Sequence, residues 1–299
     1  CERLIFRTIS PSSISGSCPS CGAEIVCDEN TAATSCVYCG NPTVVPGQLG
    51  GMLKPDYVIP FKLDKTAAVD ALKKYYKGKK FLPKAFSAGN HIEEIQGLYV
   101  PFWLFNGEAD AEIQMDATRT HTHRTSSEEI TDTEHFIVER SGTVRFERVP
   151  VDGSSKMPDE HMDSIEPFDY SEMVPFSTAY LPGYLADKYD VTAEACTERV
   201  NLRVENSAVQ MLENTVTGYD GRTITAKNVN LRQGDVKYAM LPVWMLHTKW
   251  QNKDYLFAMN GQTGKLIGDL PVDKMKFLAW FAGISVPLMV ILAFLTGLL

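Results

Sequence analysis

Leu98-Tyr-Val-Pro-Phe-Trp-Leu-Phe105 is an unbroken apolar run, and Met240-Leu-Pro-Val-Trp-Met-Leu246 repeats its Pro-x-Trp centre later in the chain. Both runs are short and rich in aromatic and aliphatic residues, which is typical of buried β-strands. Each contains a proline, Pro101 or Pro242, that has no backbone N–H to donate to a neighbouring strand. We therefore expect the two prolines at sheet edges or bulges.

A helix is predicted before each of these strands. Asp64 is a good N-cap for a helix over about Lys65–Lys77, which Gly78 ends. A longer helix is predicted over about Thr192–Thr215 and ends before Gly218. Its apolar residues recur at helical spacing: Ala193, Cys196, Val200, Val204, Ala208 and Met211.

The order of these segments recurs along the chain. Tyr57–Phe61 precedes the first helix and Met173–Phe176 precedes the second, and a Pro-x-Trp strand follows each helix. The recurrence predicts two degenerate halves, residues 57–150 and 173–272, that arose by duplication.

Hairpins are predicted after each Pro-x-Trp strand. Thr133–Arg140 and Thr143–Pro150 alternate in β fashion around Ser141-Gly142. The second pair is Asp254–Met259 and Lys265–Leu270, around Asn260–Gly264. Gly261–Lys265 resembles a phosphate loop only superficially, because Leu266 stands where a serine or threonine would hold magnesium. We expect antiparallel sheets, each partnered by a helix, and an α+β fold.

Four cysteines predict a metal site near the start of the chain. Cys18-Pro-Ser-Cys21 and Cys36-Val-Tyr-Cys39 are C-x-x-C pairs that 14 residues separate, and Gly22 or Gly40 follows each pair. Two such turns complete a tetrahedral Cys₄ site for one structural zinc ion. Ala23–Cys27 and Thr34–Val37 are the predicted strands of a hairpin between the turns, with Asp28–Asn30 as the bend. Because four thiolates leave no open coordination position, the site is expected to be structural rather than catalytic.

The remaining cysteines and the histidines give weaker signals. Cys27 is placed on the first strand of the ribbon, and Cys196 is predicted to be a buried small hydrophobe. His121 and His123 point to one face of a strand, which leaves open a second metal with Glu134 or His135, or an ordinary solvated face. The acidic residues of the 159–169 loop are expected to be solvated, with a weak calcium site as the alternative.

Charge bears on the class of partner. The chain of 299 residues has 29 lysines and arginines against 37 acidic residues, a net charge of −8. Between Ser17 and Val45 there is no lysine or arginine, and four thiolates around zinc add about −2. Such a ribbon repels phosphate, so nucleic acid is an unfavoured partner and a protein surface is expected. The apolar candidates are Val37, Tyr38, Val44 and Val45, which serve either this contact or packing against the chain itself.

The C-terminal segment predicts a membrane span. Phe277–Leu299 contains 23 residues without a charge, and as a helix it would be about 34 Å long, enough to cross a bilayer. Lys274 and Lys276 precede it, so the positive-inside tendency places residues 1–276 in the cytoplasm. Trp280 is compatible with an interfacial anchor.

These features give an expected domain order. Residues 1–16 are expected to be the clipped remnant of a longer N-terminal segment that begins here at Cys1, followed by a zinc ribbon over residues 17–46. A glycine-rich linker (47–56), the α+β domain (57–272) and the transmembrane helix (277–299) complete the order.

The chain resembles the bacterial TFIIB-type zinc-ribbon membrane proteins. The resemblance covers nearly the whole chain and is carried by SCPSCGAEIVCDENTAATSCVYCGNPT, GLYVPFWLF, VPVDGSSKM and FAMNGQTGKLIGDLPVDK, among other motifs. It implies a Cys₄ ribbon, a membrane anchor and an association with phage-shock-type membrane-stress proteins.

These observations predict a membrane-anchored cytoplasmic adaptor that binds protein partners. Asp152–Lys156 lacks the G-x-S-x-G pattern of a nucleophile elbow, and we expect no catalytic residues. A nucleic-acid-associated factor in transcription or replication, or an unrecognised enzyme, is the alternative.

Overall fold

A computed structural model describes residues 13–36, 39, 41–45, 48–50, 54–87, 92–124, 128–295 and 297. The strands are β1 Ser13–Ser17, β2 Glu24–Asp28, β3 Thr31–Ser35, β4 Pro42–Val44, β5 Tyr57–Val58, β6 Gln96–Arg124, β7 Glu129–Asp152, β8 Val174–Pro175, β9 Leu185–Asp187, β10 Gly221–Trp250, β11 Lys253–Asn260 and β12 Leu266–Gly268. The helices are α1 Lys65–Tyr76, α2 Lys84–Ser87, α3 Asp159–Ser164, α4 Thr197–Asn214 and α5 Lys274–Leu295. This is an α+β fold, as the sequence predicts.

Two long antiparallel strands, β6 and β10, form the centre of the main sheet. The strand order through them is β12-β11-β10-β6-β9-β3-β4, with β7 paired to β6, and β5 paired to β10 and β8. The remaining sheet is the β1-β2 pair, which belongs to the segment of the four C-x-x-C cysteines. β3 from that segment pairs with β9, so the segment is hydrogen-bonded into the main sheet.

The far ends of β6, β7 and β10 form a three-stranded arm with α4 on one face. Along the arm part of β6, from Ala109 to Ala117, alternate side chains are buried, as the period of two in a strand requires. The buried side chains of β6 and α4 meet in one cluster: Ala109, Ala111, Ile113, Met115, Ala117, Val200, Val204, Ala208 and Leu212. α1 covers a second cluster, in which Ala68, Leu72 and Tyr76 contact Trp244 and Phe257.

Both predicted helices are present, with shorter bounds, but Met211, which was expected on the apolar face of the second, is 54% exposed. Asp64 caps α1, since its carboxylate accepts a hydrogen bond of 2.8 Å from the Ala67 N–H. α4 begins at Thr197 rather than at Thr192, and Cys196, with 4% of its surface exposed, lies at its N-cap. Its burial confirms the prediction of a buried small hydrophobe, and burial raises the pKa of the Cys196 thiol to about 11.

The predicted hairpin around Ser141-Gly142 is wrong. β7 runs unbroken from Glu129 to Asp152, and Gly142 pairs with Ala111 in the middle of the β6–β7 ladder. Serine and glycine are common in turns, but here their backbone groups are satisfied by the hydrogen-bond ladder between β7 and β6. The second predicted hairpin is confirmed, because β11 pairs with β12 and the Asn260 side chain accepts hydrogen bonds from the Gln262 and Thr263 N–H groups.

Pro101 and Pro242 lie inside the sheet, and not on an edge strand. Pro101 stands where the partner of β6 changes from β9 to β7, and Pro242 where that of β10 changes from β5 to β11. The carbonyl of each proline accepts a 2.8 Å hydrogen bond, from Gly153 N–H and Gly261 N–H respectively. A residue without an N–H is tolerated at such a gap between two ladders.

The two Pro-x-Trp motifs have matching surroundings. Val100 and Leu241, the residues before the two prolines, are paired with each other. The indole N–H of Trp103 donates to the Val191 carbonyl at 2.8 Å, and that of Trp244 donates to the Leu63 carbonyl at 3.0 Å.

α5 is long and apolar enough to cross a membrane, with a mean hydropathy of 2.3 over its apolar stretch. None of that stretch is buried against the rest of the protein. The predicted span Phe277–Leu299 corresponds to the part of α5 after Lys276, and its last residues fall largely outside the described ones. Asp273 caps the N-terminus of the helix, because its carboxylate accepts hydrogen bonds from the Met275 and Lys276 N–H groups.

The predicted glycine-rich linker, residues 47–56, is described only in part. Leu49 is 8% exposed and packs in a core cluster with Val58, Tyr99 and Met240. At least this residue of the segment is therefore part of the core. Cys1, like the rest of residues 1–12, lies outside the described residues.

Candidate metal centre

Two tight turns place the four cysteines at one point. The first turn follows β1, where Cys18 N–H donates to the Ala23 carbonyl and Gly22 N–H donates to the Cys18 carbonyl, at 2.8 and 2.9 Å. Gly22 has φ 73°, a conformation that glycine adopts without strain. The second turn follows β3, where Cys36 N–H donates to the Asn41 carbonyl at 2.8 Å. Gly40, its predicted turn glycine, lies outside the described residues.

The four sulfur atoms have the spacing of a tetrahedral thiolate site. All lie within 4.8 Å of one another. The Cys18–Cys39 and Cys21–Cys36 Sγ distances are both 3.7 Å. A tetrahedron with metal–sulfur bonds of about 2.3 Å has sulfur–sulfur edges of about 3.8 Å, whereas a disulfide needs about 2.05 Å. The cysteines fit a metal ion and are not paired as disulfides.

The electrostatics of the four thiols also favour a cation. Hydrogen bonds from the backbone N–H groups of Cys21 and Ser20 lower the pKa of Cys18 to about 6. A hydrogen bond from the Ala23 N–H also lowers the pKa of Cys21. The neighbouring Cys39 thiol and desolvation together outweigh this bond and raise the pKa of Cys21 to about 12. Four adjacent sulfurs cannot all ionise alone, so a bound cation is what permits four thiolates. A set of four sulfur ligands in this geometry is typical of zinc or iron.

Contacts with the rest of the molecule hold the site in place. The Asn41 side chain donates to the Ser20 hydroxyl, which links the two turns. Lys188 N–H donates to the Asn30 carbonyl at 2.8 Å, and the Asn30 amide donates to Asp190 at 3.2 Å. Ala32 and Ala33 of β3 are buried in the cluster that contains Tyr99 and Met240.

The predicted strand hairpin of the ribbon is not present in this form. β2, which contains Cys27 as predicted, pairs with β1, whereas β3 pairs with β4 and β9. The reason is that the alanines of β3 bury against the main sheet, which the sequence of the segment does not reveal. Of the four apolar candidates, Val44 packs against the core and Val45 is 7% exposed, as the packing interpretation predicts. Val37 and Tyr38 lie outside the described residues.

The other metal candidates do not come together. In the part of the chain that the structure describes, the four cysteines are the one group of three or more close metal-ligating side chains. His121 and His123 are exposed and face single carboxylates, of Glu134 at 3.9 Å and Asp132 at 3.8 Å. This is the ordinary solvated strand face that the sequence left open.

The prediction that the acidic residues of 159–169 are solvated is confirmed for Asp159, Glu160 and Asp169, which are exposed, and is wrong for Asp163 and Glu166. The first residues of this loop form α3, and two arginines of α4 bind its carboxylates. Arg199 contacts Asp152 at 2.8 Å and Asp163 at 2.5 Å, and Arg203 contacts Glu166 at 2.7 Å. Asp152 is 3% exposed, and burial raises its pKa despite Arg199.

Sequence reasoning missed this ion-pair network. The available signal was Arg199 and Arg203, which are four residues apart and therefore on one face of a predicted helix. Only the packing of α4 on β7 shows that this face meets the acidic segment.

One known protein is similar over nearly the whole chain. YdjG of Bacillus subtilis (strain 168), described as an uncharacterized protein, is 36% identical over 321 aligned positions, which cover 91% of this chain and 94% of YdjG. No family model and no solved structure matches the chain.

Proposed function

The chain belongs to the family of Bacillus subtilis YdjG. We propose that it is a membrane-anchored adaptor whose thiolate metal site stabilises the fold of a protein-binding surface. One observation carries the proposal: four sulfurs at metal-binding distance lie in a segment that β3 attaches to the main sheet, in a chain that also has an unburied apolar helix. The metal then stabilises a surface, and α5 keeps that surface at a membrane.

Zinc is the metal we propose. Sulfur spacings of 3.7 Å fit a Zn–S bond of about 2.3 Å, and zinc prefers a tetrahedral arrangement of thiolates when its role is structural. The ligands would be Cys18, Cys21, Cys36 and Cys39, which fill all four positions. With no open position, the ion would stabilise the fold of residues 17–46 and would not activate a water molecule. For this reason, we propose a binding function rather than an enzyme.

The proposed partner is a protein on the cytoplasmic side. Cys21 and Cys39 are exposed at the site, and nearby Val26 is 48% exposed. Glu24, Glu29 and the zinc–thiolate group, with its charge of about −2, make this surface negative, whereas Asp28 lies 3.6 Å from the Lys156 ammonium. A negative surface opposes the phosphates of nucleic acids and favours a partner with basic groups. The resemblance to the TFIIB-type zinc-ribbon membrane proteins, whose relatives occur with phage-shock-type membrane-stress proteins, supports a role in that response.

The cytoplasmic placement of residues 1–276 is part of the proposal. Lys274 and Lys276 stand at the start of α5, and the positive-inside tendency keeps them on the cytoplasmic side.

We also propose that residues 57–150 and 173–272 descend from one duplicated unit. The pairing of Val100 with Leu241 relates the two motifs by an approximate two-fold axis, and the matched bonds of Trp103 and Trp244 obey the same relation. The relation supports an adaptor body that is built from two similar halves.

The test compares detergent-solubilised full-length wild type with Cys36→Ser and with Cys27→Ser, a matched control whose cysteine is outside the site. We expect one zinc per chain and the same cross-linked protein partner for wild type and Cys27→Ser, and neither for Cys36→Ser. Metal content is measured by atomic emission and partners by mass spectrometry. Stoichiometric zinc in Cys36→Ser, or recovery of nucleic acid in place of a protein partner, would contradict the proposal.

A further inference from the structure

A loop from the main body holds the start of α5. This loop, residues 77–83, follows α1, and its Phe81 carbonyl accepts a hydrogen bond of 2.8 Å from Asp273 N–H. The Lys276 ammonium donates to the Leu82 carbonyl at 2.9 Å. The Phe81 ring lies 5.5 Å from that of Phe277 and 5.8 Å from that of Trp280. The loop therefore stays beside α5 over the first turns of the apolar helix.

The charge of this region is opposite to that of the whole chain. The protein has a net charge of −8, yet residues 65–87 contain one acidic residue, Asp70, and seven lysines. Those lysines are Lys65, Lys73, Lys74, Lys77, Lys79, Lys80 and Lys84. Lys77, Lys79 and Lys80 lie in the loop itself and are exposed. A basic surface thus adjoins the candidate membrane helix on an acidic protein.

The depth of the loop follows from the ring contacts. Trp280 is six residues after Lys274, which is about 9 Å along a helix, and tryptophan prefers the interface between hydrocarbon and water. The Lys80 ammonium lies 5.3 Å from the centre of the Trp280 ring. If Trp280 is at the interface, then Lys80 and its neighbours are at the level of the lipid headgroups.

We propose that Lys77, Lys79 and Lys80 form a binding surface for the anionic phospholipid headgroups of the membrane that α5 enters. The proposal rests on the membrane anchoring proposed above, and it adds a lipid class to that function. Anionic headgroups fit because basic residues at a membrane surface attract them within a Debye length. Phe81 fits the same location, since its ring packs on Phe277 and Trp280 of α5.

The experiment uses the full chain in nanodiscs of phosphatidylcholine alone or with 30% phosphatidylglycerol. Acylation of each lysine by a water-soluble reagent is followed by mass spectrometry. We expect the three loop lysines to react at least three-fold more slowly in the phosphatidylglycerol discs, whereas Lys227 on the distant part of β10 reacts equally in both. Sodium chloride at about 1 M should remove the difference, because the Debye length then falls to about 3 Å.

Variants give a second readout that does not depend on lysine chemistry. Phosphatidylglycerol that remains bound after detergent extraction from mixed vesicles should fall several-fold in Lys77→Gln/Lys79→Gln/Lys80→Gln. The matched control Arg140→Gln/Lys227→Gln/Arg232→Gln removes three charges from the arm and should retain the lipid.

Equal acylation of the loop lysines in the two lipids, or retention of phosphatidylglycerol by the loop variant, would overturn the inference. It would also be overturned if inorganic phosphate or a short RNA, added to phosphatidylcholine discs, protected these lysines from acylation as well as phosphatidylglycerol does. Resistance of the wild-type chain to carbonate extraction is measured separately. A chain that resists extraction but shows no lipid preference refutes only the lysine surface, and a chain that is extracted refutes the anchoring itself.

Discussion

Removal of Arg203 should destabilise the protein much more than removal of an exposed arginine. The Arg203 guanidinium binds Glu166 with two hydrogen bonds, of 3.1 and 2.7 Å, and the side chains are 28% and 16% exposed. Loss of one partner from a fully buried pair costs about 3–5 kcal/mol, and loss from a surface pair costs about 0–1 kcal/mol. Partial exposure places Arg203→Met between these limits, at about 2–3 kcal/mol.

The assay is urea unfolding of the full chain in detergent micelles, followed by tryptophan fluorescence. Arg145→Met is the matched control. Arg145 contacts Glu108 at 3.1 Å, but the two side chains are 72% and 36% exposed, so this pair should contribute less than about 1 kcal/mol. Arg203→Met/Glu166→Met should recover most of the loss, since no unpaired carboxylate remains. Equal losses for Arg203→Met and Arg145→Met, or a double variant as unstable as the sum of the single variants, would refute the reasoning.

Three further predictions concern the core, the sheet and pH. Leu72→Ala, at a side chain with no exposed surface in the α1 cluster, should cost about 2–5 kcal/mol in the same urea assay, and a loss below 1 kcal/mol would contradict that packing. Gly107→Ala should cost about 1–3 kcal/mol, because its new Cβ would lie 2.5 Å from the Arg232 carbonyl oxygen, whereas Gly16→Ala meets no atom within 4 Å and serves as the control. Burial raises the pKa of Asp152, so the folded state retains this proton at higher pH than the unfolded state. The contribution of Asp152 to stability should therefore decline as pH rises from its ordinary pKa of 3.8 through the raised value, and Asp152→Asn should show a flatter profile in unfolding measured from pH 3.5 to 7. Parallel profiles for the two proteins would contradict this assignment.

Local patterns were sufficient where the interaction is local. The capping of α1 by Asp64 and the turn at Asn260 each involve atoms within three residues, so the sequence predicts them directly. The apolar character of α5 also follows from composition, although the helix begins at Lys274, three residues before the predicted span. The C-x-x-C spacing was sufficient to nominate four cysteines that the fold brings within 4.8 Å.

Local patterns failed where a distant strand competes for the same backbone groups. Ser141-Gly142 has turn chemistry, yet Ala111 and its neighbours on β6 supply a continuous ladder that keeps β7 extended. β3 leaves the predicted ribbon hairpin because Ala32 and Ala33 are buried in a cluster whose members are mostly distant in sequence, such as Tyr99 and Met240.

Spacing, capping and hydropathy act over a few residues, so the candidate metal ligands, the α+β class, the capped helix and the apolar helix were predictable from local sequence. The contact of Arg203 with Glu166, the pairing of β3 in the main sheet and the position of the Lys77, Lys79 and Lys80 loop against α5 depend on the folded chain. Those contacts join segments that are from about 35 to nearly 200 residues apart. Which segments meet is decided by how well their buried faces pack together, and the sequence of each segment alone does not contain this information.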